Sequence, residues 1–124
     1  PARLADAIRR LGPRSDPEAA VVLLVAGEPA GRALAGRIMA GQETFVKLKF
    51  LETLKWSAPA AVPDEILVGL SDASRWVRLA TLETLRGQSS KLSAAAGGAV
   101  ARVAREDPLP WLRDEAESVL NGRR

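Results

Sequence analysis

Residues 46–54, Val46-Lys47-Leu48-Lys49-Phe50-Leu51-Glu52-Thr53-Leu54, and residues 77–85, Val77-Arg78-Leu79-Ala80-Thr81-Leu82-Glu83-Thr84-Leu85, are two copies of one pattern. In both, an aliphatic residue is followed by a base and a leucine, and Leu-Glu-Thr-Leu closes the stretch. Such self-similarity marks a repeat architecture. A weaker third copy, Leu112-Arg113-Asp114-Glu115-Ala116-Glu117-Ser118-Val119-Leu120, keeps the apolar first position, the basic second and the apolar last pair. An aromatic residue precedes each copy, as Phe45, Trp76 and Trp111, and the separations are 31 and 35 residues, the length of a helix pair. Ser15-Asp16-Pro17-Glu18 running into Val21–Ala26 aligns with Ser71-Asp72-Ala73-Ser74 running into Val77–Leu82, a degenerate further copy. The pattern predicts about four helix pairs, with repeats near 2–27, 29–56, 62–87 and 89–121 of a single domain spanning 1–124.

Composition agrees with a helical chain. The 124 residues are 47% hydrophobic and 27% charged, enough for one globular core. Ala, Leu, Val, Arg and Gly dominate and aromatics make up only 4%, which suits close helix packing. Cys and His are absent, so disulfides, Cys or His metal sites, thiol nucleophiles and imidazole acid/base chemistry are excluded. A non-enzymatic role without a cofactor is the expectation. The longest apolar run, Ala19–Ala26, is far short of a membrane span, and Pro1–Arg10 lacks the apolar stretch of a signal peptide. The expected setting is the cytoplasm, with no membrane insertion; Pro1 in place of Met is expected from processing or from a longer polypeptide.

Helix punctuation supports the repeat boundaries. Asp16-Pro17 and Asp107-Pro108 read as an N-cap carboxylate before a first-turn proline, and Pro63-Asp64-Glu65 as another start. The reading predicts helices near 2–11, 17–26, 30–40, 43–56, 63–70, 73–86, 90–106 and 109–120. No segment alternates with period two, so no sheet is expected.

The tetratricopeptide pattern needs a Tyr and the ankyrin pattern a His, and this chain has neither. What recurs is Asp followed six residues later by a base just after an aliphatic, as Asp72 with Val77-Arg78 and Asp107 with Leu112-Arg113. This resembles the HEAT repeat, in its short form named after phycobilisome lyases. The resemblance implies an all-α, right-handed α-solenoid (superhelix) of antiparallel helix pairs. It further implies a ladder between neighbouring repeats from Asp72, Arg78, Asp107 and Arg113. The repeat containing Lys47 lacks the Asp, and the first repeat has Asp16 but Val22 where the base belongs.

The residues that could carry chemistry have plain structural roles. Capping and the ladder account for Asp72, Arg78, Asp107 and Arg113. Glu52 with Lys55, and Glu83 with Arg86, stand three apart and read as pairs within their own helices. Asp114, Glu115 and Glu117 supply too few convergent oxygens for a cation. Gly31, Gly36, Gly41 and the pair Gly97-Gly98 precede no Gly-Lys-Ser/Thr and read as close packing or helix ends. Ser90-Lys91 are adjacent and do not face each other on a helix. Trp56, Trp76 and Trp111 at helical spacing read as core.

Winding residues 75–86 at about 100 degrees per residue places Val77, Ala80, Thr81 and Thr84 on one side and Arg75, Arg78, Leu79, Leu82, Glu83 and Arg86 on the other. The matching residues one repeat earlier are Thr44, Lys47, Leu48, Leu51, Glu52 and Lys55. In HEAT proteins these second helices line the concave face. The residues expected to bind a partner are therefore Lys47, Leu48, Leu51, Lys55, Arg75, Arg78, Leu79, Leu82 and Arg86, unless the leucines bury between repeats. The favoured function is a protein-interaction scaffold taking an acidic amphipathic segment. Two alternatives stay open. One is nucleic-acid backbone binding, as in HEAT-like DNA-repair glycosylases, which a pI near 10 permits and a net charge of only +3 opposes. The other is a chromophore lyase or its chaperone.

Overall fold

A computed structural model describes residues 16–57, 62–87 and 92–122. These form α1 (Asp16–Val25), α2 (Pro29–Ala40), α3 (Thr44–Ser57), a 3-10 helix (Asp64–Ser71), α4 (Arg75–Arg86), α5 (Ala94–Glu106) and α6 (Pro110–Leu120). Among the described residues the chain is all-helical, with no strand. The helix expected at 2–11 and the Ser90-Lys91 pair lie outside them.

The helices pack as two series. α1, α3, α4 and α6 contact one another in succession, and so do α2, the 3-10 helix and α5; the members of a pair also touch. The series follow from the repeat pattern. Phe50, Leu51 and Leu54 on α3 and their counterparts Thr81, Leu82 and Leu85 on α4 are all buried. Burying a Leu or Phe side chain stabilises by about 1.5 to 3 kcal/mol. Met39, Ile66, Val100, Leu112 and Val119 join them in one core. On α6 the counterparts of Leu82 and Leu85 are Glu117 and Leu120, both exposed.

Two glycines have steric reasons. Gly27 adopts φ +75° and closes α1, a left-handed position where glycine carries no Cβ penalty. At Gly69 a Cβ would collide with Thr81 Oγ1 and Met39 Cε, so glycine lets the 3-10 helix lie against both α4 and α2. The segment was expected to be α-helical. Instead Pro63, Ile66 and Gly69 are all buried, a period of three that a 3-10 helix eclipses along one edge.

The helix starts need correction as well. Asp72 and Asp107 are not N-caps. Asp72 Oδ1 accepts from the Ser74 amide at 2.9 Å and Asp107 Oδ1 from the Leu109 amide at 3.0 Å, so each carboxylate holds the turn before its helix. Ser74 is the N-cap of α4, its hydroxyl accepting from Val77 N, and Leu109 stands at the cap position of α6 with Pro110 next. Ser93 caps α5 by accepting from Ala96 N at 3.0 Å, which starts that helix at Ala94 rather than near 90. Gly97 and Gly98 lie inside α5, where a Cβ would meet nothing within 4 Å, so neither close packing nor a helix end accounts for them.

Candidate functional site

Polar groups on the α1, α3, α4 and α6 series fall into a buried set and an exposed one. In the buried set, Lys47 Nζ donates to Asp72 Oδ2 at 2.6 Å, and both side chains are only 10% exposed. Arg78 Nε donates to Asp107 Oδ2 at 2.9 Å, and Arg78 Nη1 donates to the Asp72 carbonyl, also at 2.9 Å. Arg113 Nη1 donates to the Asp107 carbonyl at 2.6 Å. Charge pairs thus join one repeat to the next, while within a repeat the arginine binds the backbone of the aspartate rather than its carboxylate. Lys47 supplies the rung that the reading left without a partner. Burial pushes the Asp72 carboxyl up, but the Lys47 hydrogen bond, the Ser74 amide and the charges of Lys47 and Arg78 outweigh it and hold the group below its ordinary value. Every buried polar side-chain atom among the described residues has a hydrogen-bond partner.

Several proposed partner contacts are withdrawn by this packing. Lys47, Leu51 and Leu82 are buried, and the Arg78 side chain is 12% exposed and held by Asp107. The exposed residues of α4 are instead Arg75, Trp76 and Arg86, with Leu79, Ala80 and Glu83 half-buried beside them, an arc rotated by about 60 degrees from the expected face at 100 degrees per residue. Of the predicted set, Lys55, Arg75 and Arg86 are exposed and Leu48 and Leu79 half-buried.

The tryptophans, expected in the core, are on the surface. Trp56 is 76% exposed, Trp76 53% and Trp111 40%, and Phe45 is 80% exposed. Phe45, Trp76 and Trp111 hold one repeat position on α3, α4 and α6, and the Trp76 and Trp111 rings lie 6.2 Å apart, tilted by 43°. A groove between α3 and α4 is lined by Leu48, Glu52, Lys55, Trp56, Trp76, Leu79 and Glu83, with Leu51 and Ala80 at its floor and wall.

Exposed ion pairs cross each junction of the series. Lys49 meets Glu18 at 3.8 Å, Lys55 meets Glu83 at 4.0 Å, and Arg86 meets Glu115 at 2.6 Å and Ser118 at 2.9 Å. The pairs expected within α3 and α4 therefore run between helices. Arg75 stacks on its neighbour Trp76 at 5.3 Å, and Lys55 on Trp56 at 5.6 Å. The basic row expected on this face is thus already partnered, with Glu115 taken from the acidic cluster on α6. No group of three or more metal-ligating side chains forms among the described residues, and no helix there is long and apolar enough to cross a membrane.

No protein-family model matches this chain, and no curated protein or solved structure matches it.

Proposed function

We propose that the chain is a short HEAT-like repeat unit, a right-handed solenoid, that serves as a non-enzymatic scaffold and takes a partner's segment across its second-helix face. One observation carries the proposal: Phe45, Trp76 and Trp111 occupy the same repeat position on α3, α4 and α6 and all stand exposed, as does Trp56, which shares a groove with Trp76. Aromatic side chains offer large contact area with few rotors to freeze, and exposed apolar patches of this kind mark interaction sites. Leu48 and Leu79 extend the patch into the groove. Leucine and tryptophan take the holding role, because Lys47, Lys55, Arg78 and Arg86 are held by carboxylates of the chain and Arg75 stacks on Trp76. That pairing also disfavours the nucleic-acid alternative on this face, since a phosphate chain needs unpaired cations.

Selecting a random peptide library against the folded protein and titrating the enriched peptides against variants tests the reading. Trp76→Ala is expected to weaken selected peptides by about tenfold or more, as for a hot-spot aromatic, while Val68→Ala on the 3-10 helix leaves them unchanged. Peptides indifferent to Phe45, Trp56, Trp76 and Trp111 would overturn it.

A further inference from the structure

The α3–α4 groove holds one carboxylate more than it holds cations, and one of those carboxylates is unpaired among the described residues. This step rests on the second-helix face being the docking surface. Two carboxylates, Glu52 and Glu83, and one ammonium, Lys55, line the groove. Lys55 reaches Glu83. Glu52 has no ion pair or hydrogen bond among the described residues, although Lys55 stands one turn along the same helix. The indoles of Trp56 and Trp76 line the same groove, and Trp56 follows Glu52 by four residues, on the same side of α3.

The imbalance extends along the series. Lys49, Lys55 and Arg86 each meet a carboxylate of a neighbouring helix, whereas Glu52 on α3 and Asp114 and Glu117 on α6 meet no cation among the described residues. Of the arginines that meet no carboxylate among the described residues, Arg37 and Arg105 lie on α2 and α5, whereas Arg75 on α4 stacks on Trp76 and Arg113 on α6 donates to the Asp107 carbonyl.

We infer that this groove receives a basic, apolar segment of a partner protein, with an arginine or lysine placed against Glu52 between Trp56 and Trp76 and aliphatic side chains against Leu48 and Leu79. Glu52 offers a guanidinium a charge-assisted hydrogen bond, and the partner's cation adds to or exchanges with Lys55 and Arg75, which lie over the Trp56 and Trp76 rings. An acidic segment would instead meet Glu52 and Glu83 and would have to displace Lys55 or Arg86 from their present partners.

The test uses three synthetic peptides with one shared pattern of leucines and with Arg, Gln or Glu at the polar positions, titrated calorimetrically against the intact chain. The Arg peptide is expected to bind more tightly than the Gln peptide by about tenfold or more, the lower worth of one charge-assisted contact. Glu52→Gln should abolish that preference and leave the melting temperature unchanged, because the side chain is exposed and unpaired. Trp56→Leu and Trp76→Leu should weaken all peptides that bind. If the Gln or Glu peptide binds as tightly as the Arg peptide and still depends on the tryptophans, the charge assignment is overturned and the docking face stands. If no peptide binds, or the tryptophan variants change nothing, the docking face falls with it.

Discussion

Asp72 does two things at once: it receives Lys47 from the preceding repeat and fixes the turn that precedes α4. Replacing it with alanine leaves a buried ammonium without its partner, so Asp72→Ala is expected to cost about 2 to 3 kcal/mol, against under about 0.5 for exposed Asp114→Ala. Chemical denaturation midpoints compare the two. The sign of the pH dependence follows from the lowered carboxyl. The unfolded chain takes up the proton first, near the ordinary value of about 3.9, so the contribution is complete above that value and is lost as pH falls through the lower folded one. Melting curves between pH 6 and pH 2 should show a smaller acid loss in Asp72→Asn than in the wild type. At this scale the sequence was half legible. Asp and Arg are visible at repeating positions, but the carboxylate partner of Lys47 lies 25 residues away in the next repeat, and the position six residues before Lys47 is Gly41. Trp76 shows the same limit: its repeat position could be read, whereas its exposure depends on how far α4 is rotated against its neighbours.

Helix boundaries depended on small polar side chains. Ser74 and Ser93 cap α4 and α5, whereas the sequence marks helix starts more loudly at its Asp-Pro and Pro-Asp pairs. Periodicity located every described helix, yet it read Asp64–Ser71 as α-helical; a three-residue stripe over so short a stretch is hard to tell from a 3.6-residue one. The two glycine settings give opposite expectations. Gly98→Ala, in open space within α5, should stabilise by about 0.5 to 1 kcal/mol. Gly69→Ala should destabilise by about 1 to 3 kcal/mol, because Thr81 and Met39 must move. Thermal melts of the two variants, referred to the wild type, check both signs.

Across the whole molecule, each repeat leaves apolar surface that the next one covers, as the change from Leu82 to Glu117 at the equivalent position of α6 shows. A chain ended at Gly87 is therefore expected to associate in size-exclusion chromatography, and Leu82→Glu in that shortened chain to reduce the association. The all-helical class and the grouping into repeats were legible because they rest on local periodicity. The binding face was not, because it is set by which side chains the neighbouring helices cover.

The exposure of all three tryptophans makes the chain its own optical reporter. With no indole in the core, unfolding should shift the emission maximum little, so fluorescence is a poor gauge of stability here. Occupancy of the second-helix face should instead move the emission to shorter wavelength, as water leaves Trp56, Trp76 and Trp111. The Trp76–Trp111 pair, at 6.2 Å, is close enough for exciton coupling, so a near-ultraviolet or far-ultraviolet dichroic couplet should be present in the native protein and disappear in Trp111→Phe. A partner could then be followed by light alone, while stability is read from the helical signal.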